Sequence, residues 1–338
     1  MAWKGIECRA IAESLKGVGG MLRKSFQEKA ATREGYGKAI REMGAQDKSV
    51  VAIDADLASS TKSLELKKTA PERFFYAGIC EMNAVGVATG LTLEGKKAFV
   101  SSFAVFLTGR AFEIIRQSVC YGKVPVKIVG SHAGILTGKD GPTAQATEDI
   151  AIMRSLPGMN IIVPADAIEA EKAAWFMKDF NEPCYLRTNR DPTPIIFEEK
   201  KYRFEFGKAM ELRKGKHATI IACGALVPIA LETAELLEKK KISVSVINMH
   251  TIKPIDAKAI EKAARETKAI IAAEDHQTIG GLGSAIAEVL AEKNLKVKFK
   301  RIGLNNRFAE SGDPTALYAK YGFSKENIAK TIEKMIKG

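Results

Sequence analysis

Apolar runs of strand length alternate with amphipathic segments of helix length from about residue 28 to the end of the chain. This alternation is typical of parallel α/β sheets whose strands are joined by helices. The predicted strands form two series, at residues 50–53, 98–102, 124–130, 160–163 and 184–187, then at 218–223, 244–248, 269–273 and 298–302. Helices are predicted at, among others, residues 83–93 and 111–119. The pattern therefore predicts two α/β domains.

A proline-rich segment separates the two series of strands. Residues 190–194 read RDPTP, and each proline removes a backbone donor and biases the preceding residue away from a helix. We therefore predict a basic N-terminal arm at 1–27, a first domain at 28–190, a linker at 191–206 and a second domain at 207–338. The arm contains Gly17, Gly19 and Gly20, which would interrupt a continuous helix.

The composition is that of an ordinary globular protein: of 338 residues, 46% are hydrophobic and 27% charged, which excludes disordered, collagenous and coiled-coil classes. The sequence shows neither a signal peptide nor an apolar stretch approaching about 18 residues. Its five cysteines are scattered and form no CxxC pair, which argues against a disulfide framework. We expect a protein of the reducing cytoplasm that does not cross a membrane.

The net charge of +12 is spread thinly along the chain. Its densest clusters, around residues 239–241 and in the last helix, resemble solvated helix faces rather than the concentrated stripe of a nucleic-acid binder. No nucleic-acid partner is therefore expected. A positive surface that attracts small anionic substrates is the second interpretation of this charge.

Three segments carry candidate chemistry. Glu81 begins a predicted helix, and it is either a surface acid favoured by the helix N-terminus or a partly buried carboxylate with a perturbed pKa. Phe103 and Phe106 follow a strand, and they either pack in the core or form a platform for a flat ligand. His132 and Asp140 lie in a glycine-rich loop after another strand, where parallel sheets bind ligands, so we favour a role in substrate binding or proton transfer.

Other common sites are not supported by the sequence. The four histidines lack the spacing of metal ligands, so no metal site is predicted in this chain. The GGLGS stretch at 280–284 could bind an anion at a helix N-terminus, although a tight structural turn is the better interpretation. No nucleophile elbow of the GxSxG form stands in a convincing strand–turn–helix context.

Taken together, several motifs resemble the C-terminal half of transketolases, namely the pyrimidine-binding and C-terminal domains. They are Asp56-Leu57 with Ser60, GICEMN, FAVF, GSHAGI followed by KDGPTAQ, MRSLPGMNIIVPAD and YLRTN. The resemblance implies a thiamine diphosphate-binding fold of the pyrimidine type followed by a transketolase C-terminal-like domain. The family's diphosphate motif, GDG followed by NN, is missing. This implies a partner subunit that binds the diphosphate and Mg²⁺.

The resemblance also implies roles for individual residues. Glu81 would hydrogen-bond a ring nitrogen of the cofactor, Phe103 and Phe106 would support its pyrimidine, and Asp56 would contact the cofactor across a subunit interface. His132 and Asp140 would contact substrate hydroxyls, and Arg33, Ser60 and Arg187 would bind phosphate, for which the planar fork of arginine is well suited. One departure is Ala144, where most transketolases have a histidine.

These implications predict the C-terminal subunit of a split transketolase, which transfers a two-carbon ketol unit from a ketose phosphate to an aldose phosphate. The length, too short for a whole transketolase, predicts an N-terminal partner subunit, and a heterotetramer with two copies of each chain is the expected assembly. Alternatives are the beta chain of an oxoacid dehydrogenase, part of a deoxyxylulose phosphate synthase, or a noncatalytic assembly subunit. The second domain is expected to serve packing and interfaces.

Overall fold

The structure, a computed structural model, describes residues 20–337. Most of the predicted basic arm, residues 1–19 with Cys8 and Gly17, and the final residue Gly338 lie outside the described residues. The prediction of two α/β domains with mainly parallel sheets is confirmed.

The first domain is built on a mostly parallel sheet. The strands of this domain are β1 Lys29–Ala30, β2 Val50–Asp54, β3 Phe74–Tyr76, β4 Lys97–Phe103, β5 Lys127–Ser131, β6 Asn160–Ile162, β7 Cys184–Arg187 and β8 Thr193–Pro194. Of these, β1 and β8 pair antiparallel in a small sheet of their own. The helices of this domain are α1 Thr32–Gln46, α2 Ala58–Thr61, α3 Glu81–Leu93, α4 Ala104–Arg110, α5 Phe112–Ile114, α6 Asp149–Arg154 and α7 Ala167–Asp179. The segment Ile115–Tyr121 continues α5 in π-helical form, whereas an α-helix was predicted for residues 111–119.

The second domain repeats this architecture on a smaller sheet. Its strands are β9 Met210–Arg213, β10 Ala218–Ala222, β11 Val244–Asn248, β12 Thr251–Lys253, β13 Ala269–Gln277 and β14 Lys298–Leu304. Its helices are α8 Leu226–Glu238, α9 Ala257–Glu266, α10 Leu282–Glu292, α11 Pro314–Tyr321 and α12 Lys325–Lys337. The strand order is β14-β13-β10-β11-β9, and only β9 runs antiparallel.

Burial on both faces explains why the central strands are continuous apolar runs. Along β2, Val51 and Ile53 pack on one side of the sheet, whereas Val50 and Ala52 pack on the other side among residues of α1 and α7. Gly35 lets α1 and α7 approach closely, since a Cβ there would lie 1.9 Å from the carbonyl oxygen of Ala167. Because β2–β7 run parallel to one another, their carboxyl ends all lie at one edge of the sheet.

One strand crosses between the domains. The larger sheet has the order β12-β6-β7-β5-β4-β2-β3, so β12, which follows β11 of the second domain, pairs antiparallel with β6 of the first. Lys253 at the end of β12 donates hydrogen bonds to the carbonyl oxygens of Arg154 (2.9 Å) and Leu156 (2.6 Å). The two domains thus share a sheet, and one hydrophobic cluster contains residues of both domains.

The segment predicted as a linker is packed rather than loose. Ile196, Phe197 and Tyr202 are buried, and Asp166 accepts hydrogen bonds from the backbone N–H groups of Ile196 (2.8 Å) and Phe197 (2.9 Å). The same carboxylate caps α7 by accepting from the N–H of Glu169 (2.8 Å). Asp166 therefore fixes the segment between the domains to the first sheet's helical layer.

None of the helices within residues 20–337 is long and apolar enough to cross a membrane.

Because three buried N–H groups depend on Asp166, we expect Asp166→Ala to lower the free energy of unfolding by about 3–5 kcal/mol, since each unsatisfied buried donor costs about 1–3 kcal/mol. Asp313, the exposed N-cap of α11, is the matched control, and its replacement by alanine should cost about 1 kcal/mol. Urea unfolding followed by circular dichroism measures both. Equal losses in the two variants would contradict this role of Asp166.

Candidate active site

The predicted site residues gather at the carboxyl ends of three neighbouring strands. Asp56 follows β2, Phe103 ends β4 and His132 follows β5. Ligands of parallel sheets bind at this edge. Asp56 (φ 66°) and His132 (φ 58°) both adopt the left-handed backbone conformation, which costs a non-glycine residue roughly 1–3 kcal/mol and is concentrated at functional sites.

Glu81 is the first residue of α3, and its carboxylate is buried. Its position at the helix N-terminus favours negative charge. Nη1 of Arg110, at the end of α4, lies 3.1 Å from one carboxylate oxygen and 3.3 Å from the other. The structure thus buries the Glu81 side chain rather than leaving it on the surface.

Phe103 and Phe106 form an aromatic pair beside His132. Phe103 and Phe106 stack with ring centres 5.8 Å apart and planes within 14° of parallel. Phe103 also stacks on the imidazole of His132, at 3.7 Å between ring centres. Both phenyl rings are only half-buried, so they are not ordinary core residues. Arg110, whose guanidinium carbon lies 4.3 Å from the centre of the Phe106 ring, links this pair to Glu81.

His132 is buried and held by its neighbours. Its Nδ1 lies 3.0 Å from the hydroxyl of Ser131, and its carbonyl accepts a hydrogen bond from Thr137 (2.6 Å). Burial, together with the positive charges of Arg33 and Arg190, lowers the pKa of His132 to about 3. The imidazole is therefore neutral near physiological pH, when it has one donor and one acceptor nitrogen.

Arg33 joins His132 to Ser60. Its Nη1 donates to the carbonyl oxygen of Ser60 (2.9 Å) and lies 3.4 Å from Nε2 of His132. Within the described part of the chain, Nε of Arg33 is buried without a hydrogen-bond partner. Burial lowers the pKa of Arg33, and the nearby charge of Arg190 adds to the effect. A half-buried guanidinium with an unused buried donor is suited to an anionic ligand.

Arg190 is a site residue that the sequence alone did not identify. Its Nη1 donates to the carbonyl oxygen of Thr137 and to Asp140, both at 2.8 Å, so Asp140 is ion-paired at the rim. Arg190 lies just beyond the carboxyl end of β7, where ligands of parallel sheets bind, and this position was the signal available in the sequence.

Arg187, by contrast, points away from this cluster. It is buried, and its guanidinium donates to Asp149 (2.8 and 3.2 Å) and to the carbonyl oxygens of Ala146 (3.1 Å) and Asp275 (2.9 Å). These internal acceptors engage the side chain. These contacts argue against the expectation that Arg187 binds phosphate, because its guanidinium holds an interior junction.

Two further segments take structural roles. Ala144 is buried, and the amide of Gln145 donates to the carbonyl oxygens of Gly138 (3.2 Å) and Glu310 (3.1 Å). The N–H groups of Leu282 and Gly283, at the start of α10, both donate to the carboxylate of Glu274 at 2.7 Å. This helix N-terminus is thus occupied by an internal carboxylate, which agrees with the structural interpretation of the GGLGS stretch.

Comparison with known proteins connects this geometry to a family. A family model described as "Transketolase, pyrimidine binding domain" matches residues 28–194, and one described as "Transketolase, C-terminal domain" matches residues 207–328. The chain belongs to the transketolase family. Transketolases are transferases, and the family uses thiamine diphosphate as its cofactor.

Individual relatives show which part of a transketolase the chain corresponds to. A Methanocaldococcus jannaschii protein described as a transketolase C-terminal section is 44% identical over 306 residues, covering 90% of this chain and 96% of the relative. One of the subunits of an apulose-4-phosphate transketolase from Phocaeicola vulgatus is 37% identical over 307 residues, covering 91% and 98%. Human transketolase is 36% identical over 314 residues, covering 91% of this chain but 49% of its own. The chain thus matches the C-terminal section of transketolases.

Solved structures show the same relationship. A structure described as "Split gene transketolase, inactive beta4 tetramer" is 42% identical, with a TM-score of 0.83, and the match covers 92% of this chain and 99% of that one. The transketolase of Campylobacter jejuni, at 20% identity and a TM-score of 0.74, shares the fold over 98% of this chain and 51% of its own.

Because the folded pKa of His132 is low, we expect its imidazole C–H resonances to stay constant from about pH 8 to about pH 5. In the urea-unfolded chain the same resonances should titrate near the ordinary pKa of about 6.5. Proton uptake therefore favours the unfolded chain, and this residue lowers the stability as the pH falls below about 6.5. NMR with histidine labelling, assigned through His132→Gln, measures both. A titration near pH 6.5 in the folded protein would contradict the expectation.

Proposed function

We propose that this chain is the C-terminal subunit of a split transketolase that transfers a two-carbon ketol unit from a ketose phosphate to an aldose phosphate. The supporting observation is the line of contacts from Glu81 through Arg110, Phe106 and Phe103 to His132 and Arg33. It places groups suited to a flat cofactor ring next to groups suited to an anionic substrate.

The first half of this line fits the pyrimidine ring of thiamine diphosphate. A buried carboxylate at a helix N-terminus and two nearly parallel, half-buried phenyl rings are suited to a flat ring with nitrogens at its edge. When bound, the cofactor supplies the carbanion chemistry of the reaction. Glu81 would hydrogen-bond a ring nitrogen, Phe106 and Phe103 would support the ring, and Asp56 would contact the cofactor from the end of β2.

The second half fits a phosphorylated sugar. Arg33 presents a guanidinium beside Ser60 and Arg190 presents one beside Thr137, and their planar forks are suited to bidentate bonding of phosphate. His132, kept neutral by burial and by these arginines, can hydrogen-bond a substrate oxygen as donor or acceptor. Asp140 would contact substrate hydroxyls at the rim. Arg190 replaces Arg187 in the proposed phosphate-binding set.

The surface beside Glu81 supports a partner subunit. Exposed apolar residues lie at the end of β3, in the loop before α3 and along α3; they are Tyr76, Ile79, Met82, Val87 and Leu93. Gly86 and Gly90 on the same helix have no atoms within 4 Å of an added Cβ. A helix that is apolar on its exposed side as well as its buried side is suited to an interface.

We propose that an N-terminal transketolase subunit covers this surface and supplies the diphosphate and Mg²⁺ site. A cytoplasmic heterotetramer with two copies of each chain would complete the active sites at shared interfaces. The magnesium and the diphosphate would then lie on the partner, and the pyrimidine on this chain.

The direct test mixes this chain with its N-terminal partner, thiamine diphosphate and Mg²⁺, and measures ketol transfer from xylulose 5-phosphate to an aldose phosphate. We expect transfer by the complex and none by either chain alone. Glu81→Gln, which removes the acid but keeps the shape, should reduce turnover by at least about 100-fold. Decarboxylation of pyruvate instead of ketol transfer would favour the dehydrogenase or synthase alternatives. Unchanged turnover in Glu81→Ala would favour a noncatalytic subunit.

The range of sugars is a second question that the relatives raise. One relative, 36% identical, is named 6-deoxy-6-sulfo-D-fructose transketolase subunit SqwH, and another is the apulose-4-phosphate enzyme. The family resemblance leads us to expect a histidine at position 144, where this chain has an alanine. We therefore propose that the acceptor assay include branched and sulfonated sugars beside the pentose phosphates.

We expect substitution of Arg190, in the loop after β7, to weaken substrate binding, and substitution of Arg187, in β7, to lower the stability of the fold. Arg190→Met should raise the KM for phosphorylated sugars by roughly 10-fold to 100-fold, because a hydrogen bond to a charged group contributes about 1.5–3 kcal/mol. Its effect on an unphosphorylated acceptor should be small. Arg187→Met should instead lower the free energy of unfolding by about 3–5 kcal/mol, because it leaves Asp149 buried without its cation. The reverse pattern would restore Arg187 to the binding set.

A further inference from the structure

Arg110 lies over the proposed pyrimidine platform. Its guanidinium carbon is 4.3 Å from the centre of the Phe106 ring, and its Nη1 lies 3.1 and 3.3 Å from the two oxygens of Glu81. The carboxylate is only 4% exposed, whereas the arginine side chain is 55% exposed. One planar group thus stacks on the phenylalanine and hydrogen-bonds the buried acid at the same time.

We propose that Arg110 is a built-in stand-in for the cofactor's pyrimidine, which holds Glu81 and Phe106 in place and must be displaced when thiamine diphosphate binds. This inference rests on the proposed function. A guanidinium shares with an aminopyrimidine the features that this platform recognises: a flat delocalised face and N–H donors along its edge. The arginine therefore makes both contacts that are assigned to the ring.

The two groups cannot occupy the platform together. Only one flat group can lie on that face of Phe106, and the arginine already contacts both oxygens of Glu81. Arg110 is the last residue of α4 and is exposed to solvent, so its long side chain can swing away without moving the helix. Displacement then requires a side-chain rotation alone.

Charge balance explains why the cation is there. Without the arginine, the buried carboxylate of Glu81 would face the open cleft without a counter-charge, and such an unpaired charge is unfavourable. The arginine itself is 55% exposed, so water competes for its guanidinium, and its contacts with Glu81 and Phe106 stabilise less than fully buried contacts would. Arg110 thus keeps the platform ordered at a small cost to the later binding of the cofactor.

The test compares two ligands on the complex of this chain with its N-terminal partner. Thiamine diphosphate carries the pyrimidine, whereas inorganic pyrophosphate carries only the charged end. Calorimetric titration of both, in the presence of Mg²⁺, gives their dissociation constants. Arg110→Met keeps most of the side-chain stem and removes the guanidinium. Arg116→Met, on an exposed residue of the following helical segment, makes the same change of charge away from the platform.

We expect Arg110→Met to bind thiamine diphosphate roughly threefold to tenfold more tightly than the wild type, with unchanged binding of pyrophosphate. Arg116→Met should bind both ligands as the wild type does. Without ligand, Arg110→Met should melt at a lower temperature than the wild type, and saturating thiamine diphosphate should remove that difference.

Weaker or equal binding of thiamine diphosphate by Arg110→Met would overturn the proposal, since the arginine would then assist the cofactor or ignore it. An equal gain for pyrophosphate would also overturn it, because the effect would not involve the pyrimidine. Failure of the wild-type complex to bind thiamine diphosphate at all, while it still forms, would instead contradict the proposed function.

Discussion

The guanidinium of Arg187 is a buried cation that joins three segments around the site. It pairs with Asp149 on α6 and donates to the carbonyl oxygens of Ala146 and Asp275. Ala146 in turn accepts a hydrogen bond from the N–H of Gly134, two residues after His132. Although burial acts in the opposite direction on each, the pair's attraction lowers the pKa of Asp149 and raises that of Arg187. The geometry of the loop that carries His132 therefore depends on a charge pair in the interior of the protein.

The second domain contributes to the site through the same junction. The carboxylate of Asp275, on β13, accepts hydrogen bonds from the N–H of Ile135 (2.9 Å) and from the hydroxyl of Tyr318 (2.9 Å). Gly134 is required beside it, because a Cβ there would lie 2.1 Å from a carboxylate oxygen and the backbone has φ 76°. Residues of the second domain thus position the loop that carries His132, which gives that domain a role beyond packing.

Much of the fold follows from local sequence, because strands buried on both faces are continuous apolar runs; β7 has the predicted bounds and β2 extends its prediction by one residue. The short strand β12 was missed because its pairing depends on a distant sheet edge. The sequence failed to distinguish Arg187 from Arg190 for the same reason, because the difference depends on a residue that is distant in sequence. Both are arginines near one strand end, and only Asp149, 38 residues away in sequence, decides which of them turns inward. The carboxylate, the aromatic pair and the histidine were predictable because each stands beside a strand end or helix start.

The shared strand β12 has a consequence for any attempt to divide the chain. If the segment after residue 207 were removed, the backbone N–H and C=O groups of β6 that now pair with β12 would become a bare sheet edge. Such an edge is a template for pairing with other chains, so the isolated first domain would be prone to aggregate. The second domain thus covers one edge of the first domain's sheet, and β12 prevents β6 from pairing with other chains.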